Sequence, residues 1–110
     1  MSYAKGGLPA LHEGALRPLD AALAAWAVGQ VGRASAWAQG TAAPAPGDAI
    51  GAALRAMPVA AWRWAVVARH LFRQDTTTAA RALGVKPSTF RPLVGRAYAF
   101  VAGYLAGAGV

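Results

Sequence analysis

Between Asp75 and Tyr98 the chain runs "DTTTAARALGVKPSTFRPLVGRAY", a dense set of hydroxyls and cations. Lys86, Ser88, Thr89 and Arg91 crowd one short segment, Arg96 follows it, and Thr77, Thr78 and Arg81 precede it. No carboxylate falls among them, so this set suits recognition of a polyanion rather than acid–base turnover. An arginine near the front of a helix can hold the O6 and N7 of guanine in a bidentate bond, worth about 1–3 kcal/mol of discrimination. Free amides at a helix start, aided by the helix dipole, favour phosphate in the same place. Arg91 is therefore the first candidate for reading a base, with Lys86, Ser88 and Thr89 beside it. Arg96 is placed for a phosphate, and Arg81, Thr77 and Thr78 for contacts to the nucleic-acid backbone.

Chemistry of turnover has little to work with. The histidines are His12 and His70, the aspartates Asp20, Asp48 and Asp75 are scattered, and no glycine loop of the phosphate-cradling kind occurs. His70, on an apolar helix, is expected to pack rather than to catalyse. The absence of cysteine excludes disulfides, thiolate zinc sites and thiol catalysis. No enzyme activity, cofactor or metal is expected. A net charge of +7, carried mostly by arginine, suits a polyanionic partner because each cation placed on a phosphate releases condensed counterions. Charge alone is a weak signal, since high-GC coding enriches both arginine and alanine.

The hydrophobic fraction of 56% invites a membrane reading, but alanine inflates it. The apolar stretches 19–39 and 58–72 are broken by Asp20, Gln30 and Arg33 and by Arg63 and Arg69, whereas a span needs about 20 mainly apolar residues. The start "MSYAKGGLPALHEG" lacks the continuous apolar core of a secretion signal. The expectation is a soluble cytoplasmic protein without a membrane partner.

The elements that must position these side chains follow from periodicity and punctuation. Residues 1–17, with Gly6, Gly7, Pro9 and Gly14, form a flexible arm. Leu19, Leu23, Trp26, Gln30, Ala34 and Trp37 recur at steps of three and four, predicting one helix over 18–39. The stretch "GTAAPAPG", 40–47, is a Pro/Ala/Gly linker. A helical domain over 48–107 then begins with Asp48 as N-cap of a short helix to Ala56. Pro58 opens the next helix, over 58–73, with Val59, Trp62 and Val66 on one side and Trp64, Val67 and Leu71 on nearly the other. Trp62 and Trp64 cannot face one neighbour; two layers of core or a docked partner would each explain them. Trp26, Trp37 and Trp64 are the candidates for partner binding.

Within 75–98, Asp75 caps a helix whose inner side is Ala79, Ala80 and Leu83. Gly84 turns the chain, and a second helix starts at Pro87 with Phe90, Leu93, Val94, Ala97 and Val101 inside. This is a helix-turn-helix pattern. Pro92 removes a bond to Ser88 inside the second helix and predicts a kink there. No strand alternation or repeat occurs, so the fold class is all-α: a small helical domain with a C-terminal helix-turn-helix.

Residues 57–105 resemble the promoter-reading C-terminal domain of sigma factors, through "MPVAAWRWAVVARHLF" followed by "TTTAARALGVKPSTFRPLVGRAY". Over residues 18–107 the chain is similar to the short branch of the antitermination Q proteins of lambdoid phages. There a Trp-containing helix like "LDAALAAWAVGQ" precedes a linker, a helix like "AIGAALRAM" follows, and the end is similar to "RAYAFVAGYLAG". The linker cysteines of some relatives are missing here, which argues against a metal. The resemblance implies a phage late-gene antiterminator that binds DNA near the late promoter, engages sigma-containing RNA polymerase and carries it through terminators. Its partners would be duplex DNA, polymerase and sigma factor, with contact to nascent RNA open; Lys86, Ser88, Thr89 and Arg91 would take the DNA-reading role. Two other readings stay open: a helix-turn-helix repressor or activator dimerising through "AFVAGYLAGAGV", and a protein-interaction inhibitor of a host factor.

Overall fold

The computed structural model describes residues 13–108 of the chain, with side chains from Pro18 onward. Its described part is all-helical: α1 (Glu13–Val28), α2 (Ala34–Gln39), α3 (Ala49–Ala56), α4 (Ala60–His70), α5 (Thr76–Leu83) and α6 (Pro87–Gly107). The expected arm lies outside the described residues as far as position 12, and residues 13–17 already belong to α1.

α4 is the central helix. Ala65, Val66, Val67 and Ala68 are four consecutive residues with no exposure, and α4 touches α1, α2, α5 and α6. A helix apolar all round can be buried only when neighbours cover every side; here Trp62 packs towards Phe100 of α6 and Trp64 towards Phe72. Both tryptophans are partly buried against the core cluster. The helix is shorter than expected, because Val59 is extended and Pro58 stands outside it.

The single helix expected over 18–39 is two. After Val28 the chain turns, and Gln30 folds inward, 8% exposed, where its Oε1 accepts from Trp37 Nε1 at 2.8 Å and from Arg33 Nη1 at 3.1 Å. Trp26 and Trp37 share a stripe in the sequence and still meet across the turn, edge to face at 5.2 Å. The period survives the break because both pieces line one core.

Nor is 40–47 a free linker. Gly40, at φ +77, ends α2 with Thr41 N–H bonded to Ala36 O and its own N–H to Trp37 O, satisfying carbonyls that a helix end leaves open. Ala42 is buried, Arg33 donates to Ala43 O, and Arg55 donates to Gly40 O. Asp48 caps α3 as expected, accepting from Gly51 N–H at 2.8 Å, and its other oxygen takes Trp26 Nε1 at 3.1 Å. Leu23 of α1, Trp37 of α2 and Ala42 thus join the same core cluster as Leu54, Val66, Phe90 and Val101.

Candidate nucleic-acid interface

α5 and α6 are built by local rules that their sequence states openly. Asp75 Oδ1 accepts from Thr78 N–H at 2.7 Å, and this backbone amide holds the exposed carboxyl below its usual range. α5 buries Ala79 and Ala80, whose small side chains let a neighbouring helix come close. Trp64 Nε1 donates to Ala79 O at 3.0 Å and fastens α5 to α4. Gly84, at φ +73 and ψ +28, turns the chain, with Val85 N–H reaching Ala80 O. Lys86 then occupies the N-cap of α6 without a side-chain cap, Pro87 stands at the first turn, and Phe90, Ala97, Tyr98 and Val101 face inward. α5 and α6 are in contact.

All eight side chains singled out on this pair are exposed: Thr77, Thr78 and Arg81 on α5, Lys86 at the cap, and Ser88, Thr89, Arg91 and Arg96 on α6. At about 100° per residue, Ser88 and Arg91 flank one side of the outer face of α6, and Thr89 with Arg96 the other. From Thr76 to Ala108 the chain carries Arg81, Lys86, Arg91 and Arg96 and no acidic residue. α6 runs as one helix through Pro92. Pro92 and Ser88 are both exposed, so water can bond the Ser88 carbonyl that lacks its amide, and the cost of the proline is smaller than in a buried helix.

The tryptophans divide. Trp37 has no exposed surface and its N–H is spent on Gln30, so it offers nothing to a partner; the sequence expectation for it is corrected. Trp26 and Trp64 are half-buried with their N–H groups bonded within the chain.

One cluster has no counterpart in the sequence reading. Tyr98 of α6 donates its hydroxyl to Asp20 Oδ1 of α1 at 2.6 Å, and the Tyr98 hydroxyl oxygen lies 2.6 Å from His70 Nε2 of α4. Since the single phenolic proton goes to the carboxylate, Nε2 carries the imidazole proton and donates to the tyrosine oxygen. Arg69 Nε reaches Asp20 Oδ1 at 3.3 Å. Burial pushes the Asp20 carboxyl up, but the Tyr98 hydroxyl and the charges of Arg69 and His70 more than offset it, leaving it below the ordinary value. Burial holds the His70 imidazole below its ordinary value against the pull of Asp20, helped by Arg69 and Arg73. Tyr98 is raised by burial and by the carboxylate it serves. His70 is packed, as expected, and its surroundings make it a neutral donor in a three-helix clasp. Asp20 and Tyr98 are 78 positions apart, a separation that no local pattern reveals.

No family model matches this chain, no curated protein is significantly similar to it, and no solved structure matches it. Among the described residues no helix is long and apolar enough to cross a membrane.

Proposed function

We propose that this protein binds duplex DNA through α5, the Gly84 turn and the front of α6, and acts on transcription. The observation that carries this reading is the exposed edge of that pair, with four cations, flanking hydroxyls and no carboxylate beyond the capped Asp75. Arg91 and Ser88 read base edges, Lys86 and Thr89 flank the helix start, and Arg96, Arg81, Thr77 and Thr78 meet phosphates. The resemblance to antitermination Q proteins extends the proposal: a phage late-gene factor that loads onto sigma-containing polymerase at the late promoter and carries it past terminators.

Mobility shift on duplex DNA across a salt series tests the DNA half. With the three cations Arg81, Lys86 and Arg96 on phosphates, the slope of log K against log salt should reach about −3, and absence of duplex binding even at low salt overturns it. Transcription by purified polymerase through a terminator, from a template with a late promoter, tests the second half; termination left unchanged overturns it. A simple dimeric regulator is the alternative. Tyr104, 36% exposed and stacked on Phe100 near the end of α6, is the surface that favours it, and a palindromic site bound by two chains would decide for it.

A further inference from the structure

A cleft of about 910 Å3 opens between the turn after α1 and the turn after α4, reaching Asp75 at the start of α5. Its α1 side is apolar, formed by Ala24, Ala27, Val28 and Val31, and the two valines stand 75% and 87% exposed. Its α4 side is polar, with Arg69, Arg73 and Gln74. The carboxylates at this cleft are already matched: Asp20 takes Tyr98 and Arg69, and Asp75 takes the Thr78 amide. Of the two cations, Arg69 is paired with Asp20 through one nitrogen and Arg73 is not paired among the described residues. Arg73 is also held at φ +57, a left-handed conformation uncommon for a side chain of its kind.

An unpaired guanidinium and bare valines around one opening of ligand size define a complementary molecule. We propose that the cleft binds an amphipathic organic anion: an apolar body against Val28 and Val31, and an oxyanion on Arg73 and the free end of Arg69. This site stands independently of the DNA reading.

8-Anilinonaphthalene-1-sulfonate carries both features, fused rings and an oxyanion, and is the probe for the full chain. The expected result is one saturable site per chain with enhanced emission. Arg73→Asn, which keeps a residue tolerant of the left-handed conformation, should weaken binding about five-fold or more, the loss of roughly one ion pair. Val31→Asp, at a position too exposed to disturb folding, should remove the emission gain, with circular dichroism confirming helicity. N-phenyl-1-naphthylamine, which lacks only the sulfonate, should bind about five-fold more weakly and ignore Arg73→Asn. Three results overturn the proposal: no saturable binding, dye binding unchanged in both variants (which would place the dye on the Phe100–Tyr104 surface), or equal affinity for the uncharged analogue.

Discussion

At the level of single side chains, charge and exposure separate residues that read from residues that hold. Arg91 and Arg96 both point away from the core of α6, yet only Arg91 lies within the first turns that can enter a groove while the helix end faces phosphate. Arg91→Ala is expected to flatten the preference among DNA sequences, by about 1–3 kcal/mol at one base pair, while Arg96→Ala weakens binding to all sequences alike and lowers the salt slope by about one. Competition shifts with matched and mutated duplexes measure both, and equal effects from the two changes would contradict the assignment. The clasp of Asp20, Tyr98 and His70 makes a second prediction, on stability. Because the folded state depresses the His70 pKa, the unfolded chain binds more protons between that depressed value and about 6.5, so stability is full above about 6.5 and declines as pH falls through this window. Asp20 acts further down: its depressed pKa keeps its contribution present above about 4 and loses it only as pH falls through the folded value. His70→Gln, whose side-chain amide can still donate to Tyr98, is expected to remove the loss of stability between pH 7 and 5. Urea midpoints across that range check it, and an unchanged slope would assign the dependence elsewhere. The side chains of the α5–α6 edge were legible in the sequence because types and spacing cluster there. The clasp was not, since a lone Asp20, a lone His70 and an ordinary Tyr98 become a network only once three helices are brought together.

At the level of helices and turns, caps and corners were legible and continuities were not. Asp48, Asp75, Gly84 and Pro87 each sit where their local chemistry puts them, because an N-cap or a left-handed corner depends on a few neighbours and little else. The helix expected over 18–39 failed for the opposite reason: its apolar period is a property of the core it faces, and that core is continuous across the turn at Gln30. The same contrast between local and tertiary causes ranks two glycine substitutions. Gly84 has φ +73 with open space where a Cβ would sit, so Gly84→Ala carries only the conformational penalty, about 1–2 kcal/mol. Gly40 has φ +77 and its Cβ would meet the Arg63 guanidinium at 3.0 Å, beside the carbonyl that Arg55 holds. Gly40→Ala is therefore expected to destabilise more than Gly84→Ala, read as the difference in midpoint at constant denaturant slope. The reverse order would mean that Arg63 moves aside freely and that the α2 corner is the softer of the two.

For the molecule as a whole, the decisive fact is that the core is single. Sequence composition divides the chain at "GTAAPAPG", and the helical unit 48–107 carries every residue of the proposed DNA edge. The structure nonetheless places Leu23 and Trp37, neither with any exposed surface, in the cluster built around Val66 and Val67. Removing residues 1–47 would uncover that side of α4 and leave Asp48 without Trp26 and Tyr98 without Asp20. Losing one buried tryptophan costs about 3–5 kcal/mol and one buried leucine about 2–5, a large share of the roughly 5–15 kcal/mol that holds a domain of this size together. The fragment 48–110 is accordingly expected to lack a cooperative thermal transition and to show poorly dispersed amide resonances, even though its own caps and turns are intact. DNA affinity should fall with it, because α4, which packs against both α5 and α6, would no longer be held in place behind them. A fragment that melts cooperatively near the full-length midpoint and shifts duplex DNA with equal affinity would show instead that α1 and α2 are an accessory layer.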